Sequence, residues 1–274
     1  MYVSTRLGRW FYVGSGQRQR EGDATIVLWH SFLCDGGMWD GQVAALSALG
    51  RVLVFDGPGH GKSEAPPPFS LDDNARALVD ALDAIAPGPV VMAGLSWGGM
   101  LAMRLALLAP ERVRALALLD TSAAAEDPRR RLQYRALLSL FRRVGVPRWL
   151  TDRQVAPMMF SRRARAARPE LAARMHAEVN GFSRVGVARV GEAIFSRADI
   201  TASLGRIAAP TLVICGTEDR ATPPSRSTAI ARGISGARLE LIDGAGHLSA
   251  LEAPTPVTAL LAPFVAENLG KSNK

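Results

Sequence analysis

A short apolar run, Pro89-Val-Val-Met-Ala-Gly94, leads straight into Gly94-Leu-Ser-Trp-Gly98, and a small, apolar, helix-like run from Trp97 to Ala109 follows. Strand, sharp turn and helix in that order leave few folds open. A serine at the apex of such a turn projects its hydroxyl beyond the sheet edge. Glycines two positions to either side remove side chains that would collide there. The amides that open the helix face any negative charge that develops. The spacing therefore predicts Ser96 as a nucleophile. An ordinary glycine-rich turn is the competing reading, and the flanking strand and helix disfavour it.

Similar short apolar runs recur at Ala24 to His30, Arg51 to Asp56, Val113 to Leu119, Pro210 to Cys215 and Arg238 to Ile242, and Arg9 to Gly16 reads as strand and tight turn. Continuous runs of this length suit strands buried on both faces. Helical spacing marks Met38 to Leu49 and Leu71 to Ile85. Ser70 is placed to cap the second of these, with Asp72 and Asp73 where the helix dipole favours them. The alternation predicts an α/β fold with a parallel sheet covered on both sides. It breaks between about Ala123 and Arg197, an arginine-rich stretch interrupted at Pro147, Pro157 and Pro169. That stretch is expected to be a helical insertion: a cap over residues 123–197, set into a core of residues 1–122 and 198–274.

A serine hydroxyl needs a general base. Of the four histidines, His247 lies in a loop, Asp243-Gly-Ala-Gly-His-Leu-Ser249, just past the last strand. That puts it on the rim where Ser96 is expected. His176 falls in the insertion and reads as a surface helix residue. His60, within Asp56-Gly-Pro-Gly-His-Gly-Lys-Ser63, reads as structural, and His30 belongs with the loop after its strand. The imidazole in turn needs a carboxylate to fix its tautomer. Asp219, just past Pro210 to Gly216, is the expected partner; Glu218 is a local competitor and Asp120 the serious rival. A tetrahedral intermediate needs two donors at its oxygen. The backbone amides of Trp97 and Phe32 are expected to supply them.

Composition bounds the setting. Apolar residues make up 48% of 274, enough for a substantial core. There is no apolar run of transmembrane length and no signal-peptide core at the start. Two cysteines, Cys34 and Cys215, give no disulfide framework, so the cytoplasm is the expected compartment. The net charge of +8 invites a nucleic-acid reading. Lysine, however, occurs only at Lys62, Lys271 and Lys274, a skew that fits coding bias better than a phosphate-binding face. A solvated basic surface, densest from Arg129 to Arg174, is the preferred reading.

The marks His30-Ser-Phe, Asp56-Gly-Pro-Gly-His-Gly-Lys-Ser63, Gly94-Leu-Ser-Trp-Gly-Gly99, Gly216-Thr-Glu-Asp219 and Gly246-His247 together make the chain resemble the α/β-hydrolase superfamily over nearly its whole length. Within it the chain looks most like the 3-oxoadipate enol-lactonase and carboxylesterase group. The similarity runs through His30 to Asp40, Gly94 to Met100, Pro110 to Val113, Ala209 to Pro224 and Gly246 to Ser249. Trp97 departs from the Met or Leu usual after the nucleophile, and that residue and the cap are expected to form an apolar pocket. The resemblance implies an eight-stranded, mostly parallel sheet, flanking helices, a helical cap, the Ser-Asp-His chain order, and neither cofactor nor metal. It implies hydrolysis of a small-molecule ester or lactone through an acyl-enzyme, with no nucleic-acid partner and no stable membrane insertion. Carbon–carbon bond hydrolysis, acyl transfer and a low-turnover ligand receptor are the alternatives. The first usually uses a glycine-rich oxyanion loop, which Ser31-Phe-Leu-Cys34 does not supply. An anionic substrate would meet an arginine of the cap.

Overall fold

The computed structural model describes residues 1–17 and 22–270. Eight strands form one sheet in the order β1-β2-β4-β3-β5-β6-β7-β8. They span Tyr2–Thr5, Gly8–Ser15, Thr25–Trp29, Val52–Phe55, Val90–Leu95, Val113–Leu119, Thr211–Gly216 and Arg238–Ile242. β1 and β2 pair antiparallel with each other, as do β2 and β4, and every later pairing is parallel. The mostly parallel eight-stranded sheet implied by the resemblance is present. The short edge strand β1 was not expected; its polar side chains hide it from a search for apolar runs.

Every residue of β3, β4, β5, β6 and β7 is buried, because helices cover both faces. α1 (Asp40–Leu49), α2 (Leu71–Ile85), α3 (Trp97–Leu108), α10 (Pro224–Gly233) and α12 (Pro254–Leu269), which follows the short α11 (Ser249–Glu252), supply most of that cover. α2 opens as expected: the Ser70 hydroxyl accepts from the Asp73 amide, and the Asp73 carboxylate accepts from the Ser70 amide. α3 is buried nearly all round. Its one charge, Arg104, is neutralised by Asp72 at 3.0 Å and donates to the carbonyls of Met100 and Ala198.

Between β6 and β7 the chain leaves the sheet and runs through α4 (Pro128–Val144), α5 (Arg148–Leu150), α6 (Ala156–Met159), α7 (Arg162–Ala167), α8 (Glu170–Gly181) and α9 (Arg184–Phe195). The Asp127 carboxylate caps α4 by accepting from the amides of Arg129 and Arg130. α4 buries only Leu138 and Phe141, and it packs along α9. His176, expected on the surface, is half-buried; its ring pairs with the Thr151 hydroxyl at 2.9 Å and so joins α8 to the turn between α5 and α6.

The helical segment is fastened to the sheet's loops at two places. At one, Gly59 (φ 72°) and Gly186 of α9 meet backbone to backbone. A β-carbon on either would lie 2.7 Å from the other's α-carbon. Arg189 donates to the Pro66 carbonyl beside them. At the other, the Leu248 amide donates to the Met159 carbonyl at 3.1 Å. The Glu252 carboxylate there accepts from the amides of Gly246 and Ser161. Among the described residues, no helix is long and apolar enough to cross a membrane.

Candidate active site

Ser96 follows β5 and opens α3, with φ 56° and ψ −109°. That conformation costs a non-glycine residue about 1–3 kcal/mol and needs firm neighbours. The Ser96 amide donates to the Leu119 carbonyl at 2.8 Å, and its carbonyl accepts from Met100 N at 2.9 Å and Thr121 Oγ1 at 2.6 Å. The motif's glycines are set by close approach. A β-carbon on Gly94 would lie 2.2 Å from the Gly98 carbonyl carbon, and one on Gly98 would lie 2.3 Å from the Trp29 carbonyl oxygen.

Asp219 and His247 stand past the ends of β7 and β8, two and three strands along from β5, which carries Ser96. His247 Nδ1 lies 3.0 Å from both carboxylate oxygens of Asp219, and both side chains are buried. Asp219 also accepts from the amides of Ala221 and Thr222 and from Thr222 Oγ1 at 2.8 Å. Sequence reasoning missed Thr222. An aspartate three residues before a threonine is a local turn signal that could have found it. Burial works against a charge on His247, but the Asp219 carboxylate and its hydrogen bond outweigh it and raise the imidazole above its ordinary pKa. Ser96 and His247 line one cavity. Among the described residues no hydrogen bond joins their side chains.

Asp120, the rival acid, ends β6 at φ 45° and is fully buried. One oxygen accepts from the Gly216 amide at 2.8 Å and the other from the Ser249 hydroxyl. It thus ties the strand before Asp219 to the helix after His247 and makes no hydrogen bond to the imidazole. Burial and the nearby Asp219 charge push its carboxyl up to about 8. Asp120, Cys215 and Asp219 bring ligand atoms within 4.8 Å of one another. Both carboxylates already receive N–H and O–H donors, and burial raises the Cys215 thiol, which stays protonated. The cluster is a hydrogen-bonded support for the rim, and its chemistry does not fit a cation.

The loop after β3 is braced by two histidines. His30 Nε2 accepts from the Gly57 amide at 2.7 Å, and His60 Nε2 accepts from the Leu33 amide at 3.4 Å. Both roles need an unprotonated nitrogen. Burial supplies it, lowering His30 and pushing His60 down to about 3. The Asp56 carboxylate completes the brace by accepting from the amides of Gly36 and Lys62 at 2.9 Å each. Phe32 sits on this braced loop and lines the cavity. Among the described residues, neither its amide nor that of Trp97 donates to a protein acceptor.

The Trp97 side chain differs from expectation. Its indole is wholly buried beneath the sheet rim, against Trp29, His30 and His60, with Nε1 donating to Asn74 Oδ1 at 3.1 Å. It does not line the cavity, because the left-handed turn at Ser96 directs the next side chain into the core. The cavity, about 210 Å³, is bounded instead by apolar groups of the helical segment, among them Leu138, Phe141, Val146, Val155, Met159 and Ile194.

The fold and the rim together define a class. The pattern of the α/β-hydrolase fold family matches residues 24–254, and the chain belongs to that family. Relatives and structural neighbours include esterases and enol-lactonases, and the chain is an α/β-hydrolase enzyme. A thermophilic esterase from Thermogutta terrifontis superposes with a TM-score of 0.89 at 26% identity, covering 98% of this chain and 99% of the esterase. The enol-lactonase from Burkholderia xenovorans LB400 superposes at 0.88 with 30% identity, covering 97% and 99%. In sequence, 3-oxoadipate enol-lactonase 1 of Acinetobacter baylyi is 28% identical over 251 residues, 89% of this chain and 90% of its own length.

Proposed function

We propose that this chain hydrolyses a carboxylic ester or lactone through an acyl-enzyme formed on Ser96. The observation that carries the reading is the buried His247–Asp219 pair at 3.0 Å, opening onto the cavity that Ser96 also lines. His247 Nε2 takes the Ser96 proton as the hydroxyl oxygen attacks the carbonyl carbon. Asp219 holds Nδ1 protonated and stabilises the imidazolium. The unspent amides of Phe32 and Trp97 receive the oxyanion. The imidazolium then returns its proton to the leaving alkoxide as the carbon–oxygen bond breaks. A water, deprotonated by His247, releases the acid and restores Ser96. Residues 123–197 act as the cap, and the substrate is a small molecule held in the cap's apolar cavity. The esterase and lactonase relatives support this choice of bond.

Ser96→Ala tests it. Turnover of p-nitrophenyl butyrate should fall by about 10⁴-fold or more, and labelling by a fluorophosphonate should disappear. Undiminished turnover in the variant would end the assignment.

A further inference from the structure

The cavity contains a charge pair that the proposed chemistry leaves unused. Arg197 is 8% exposed and donates Nε to the Ala124 carbonyl and Nη1 to the Ile194 carbonyl, each at 2.9 Å. Its Nη2 lies 3.5 Å from Glu126 Oε2. Glu126 and Arg197 line the same cavity as Ser96. Beside them Tyr134 stacks on Phe195, with ring centroids 4.1 Å apart.

Residues 123–197 hold sixteen arginines. Of these, Arg197 alone lines the cavity, and a carboxylate already compensates it. The basic character of this region therefore stops at the cavity wall. A carboxylate entering with a substrate would lose its water, find the guanidinium occupied and meet the like charge of Glu126. An apolar chain entering the same space loses nothing polar and gains from leaving water.

We propose that Glu126 and Arg197 make the cavity selective for neutral esters or lactones with an apolar chain, Glu126 excluding carboxylated substrates by holding the arginine of the cavity wall. This rests on the hydrolase reading above. Glu126 is the specificity-determining group, because its carboxylate compensates the Arg197 guanidinium at the wall.

The test compares p-nitrophenyl hexanoate with mono-p-nitrophenyl adipate, which carries a terminal carboxylate in place of the methyl at the same chain length. The wild type should prefer the hexanoate in kcat/KM by about 100-fold or more. Glu126→Gln keeps the side chain's size and an acceptor oxygen but removes the charge that compensates the guanidinium. It should narrow that ratio by about tenfold or more, mainly through a lower KM for the adipate. The double variant Glu126→Gln/Arg197→Gln makes the wall neutral again and should restore the preference. Equal wild-type rates on the two esters would overturn the proposal, as would a ratio unmoved by Glu126→Gln in a variant folded by circular dichroism. Calorimetry on Ser96→Ala with methyl hexanoate and monomethyl adipate reads the same selectivity without turnover. Failure to hydrolyse either ester would sink the hydrolase reading, whereas equal binding of the two methyl esters would sink this one.

Discussion

The rim of the sheet and the helical segment proposed as its cap are built on opposite terms. At the rim each functional group is fixed by backbone: a strand end, a turn with positive φ, glycines that admit no β-carbon. In the cap, α4 spans seventeen residues and buries two side chains. Charge divides the same way. Residues 123–197 carry sixteen arginines against six carboxylates, a net of +10, so the rest of the chain nets −2 of the total of +8. The contrast teaches where each property resides. On the proposed reading the reaction belongs to short, rigid pieces of backbone, and selectivity to a looser layer whose charge faces outward and whose cavity face is apolar and neutral.

That contrast can be broken at the rim first. Asp219→Asn should lower kcat on p-nitrophenyl esters by about 10⁴-fold with the fold intact, because the imidazole loses its tautomer and its counter-charge. The pH profile checks the cause. Wild-type kcat/KM should fall on acidification with a midpoint above 6.5, since Asp219 raises His247, and the variant's residual activity should fall at lower pH.

A smaller effect should separate the two regions by their response to pH. Asp120 titrates near 8 when folded, well above an unfolded aspartate. Its protonated form therefore favours the folded state most fully at acidic pH, and that contribution is lost as pH rises through 8. The raised His247 acts in the same direction. Thermal midpoints measured from pH 6 to 9 should decline for the wild type and decline less for Asp120→Asn, which mimics the protonated acid. A variant with an unchanged slope would show that Asp120 is ionised in the folded protein.

The smallest effect is expected on the cap's outer face. Arg142 and Arg143 are exposed and form no ion pair among the described residues. Replacing both with Gln should leave stability within about 0.5 kcal/mol for each change and kcat/KM on a neutral ester unaltered. A marked loss in chemical denaturation would show that the cap's charge supports its structure.

The sequence made the sheet and its rim legible because those features are local. Buried parallel strands are unbroken apolar runs, the Ser70 cap lies three residues from its partner, and the glycines around Ser96 announce the elbow. What stayed hidden depends on contacts between distant segments. The direction of the Trp97 indole is set by Asn74 and the rings beneath the sheet. The bracing roles of His30 and His60 need two loops brought side by side. Arg197 meets Glu126 across 71 residues of sequence, and nothing near either one marks it as facing the cavity. β1 escaped because an antiparallel edge strand needs no apolar run.

Gly59 and Gly186 have a practical consequence for exchanging parts between relatives. A graft of a foreign cap onto this body would carry the donor's residue at the point facing Gly59. If that residue bears even a methyl group, the two modules cannot seat without a backbone shift. Chimeras cut at the cap boundaries should therefore sort by what occupies this one pair of positions, however well the remaining seam matches.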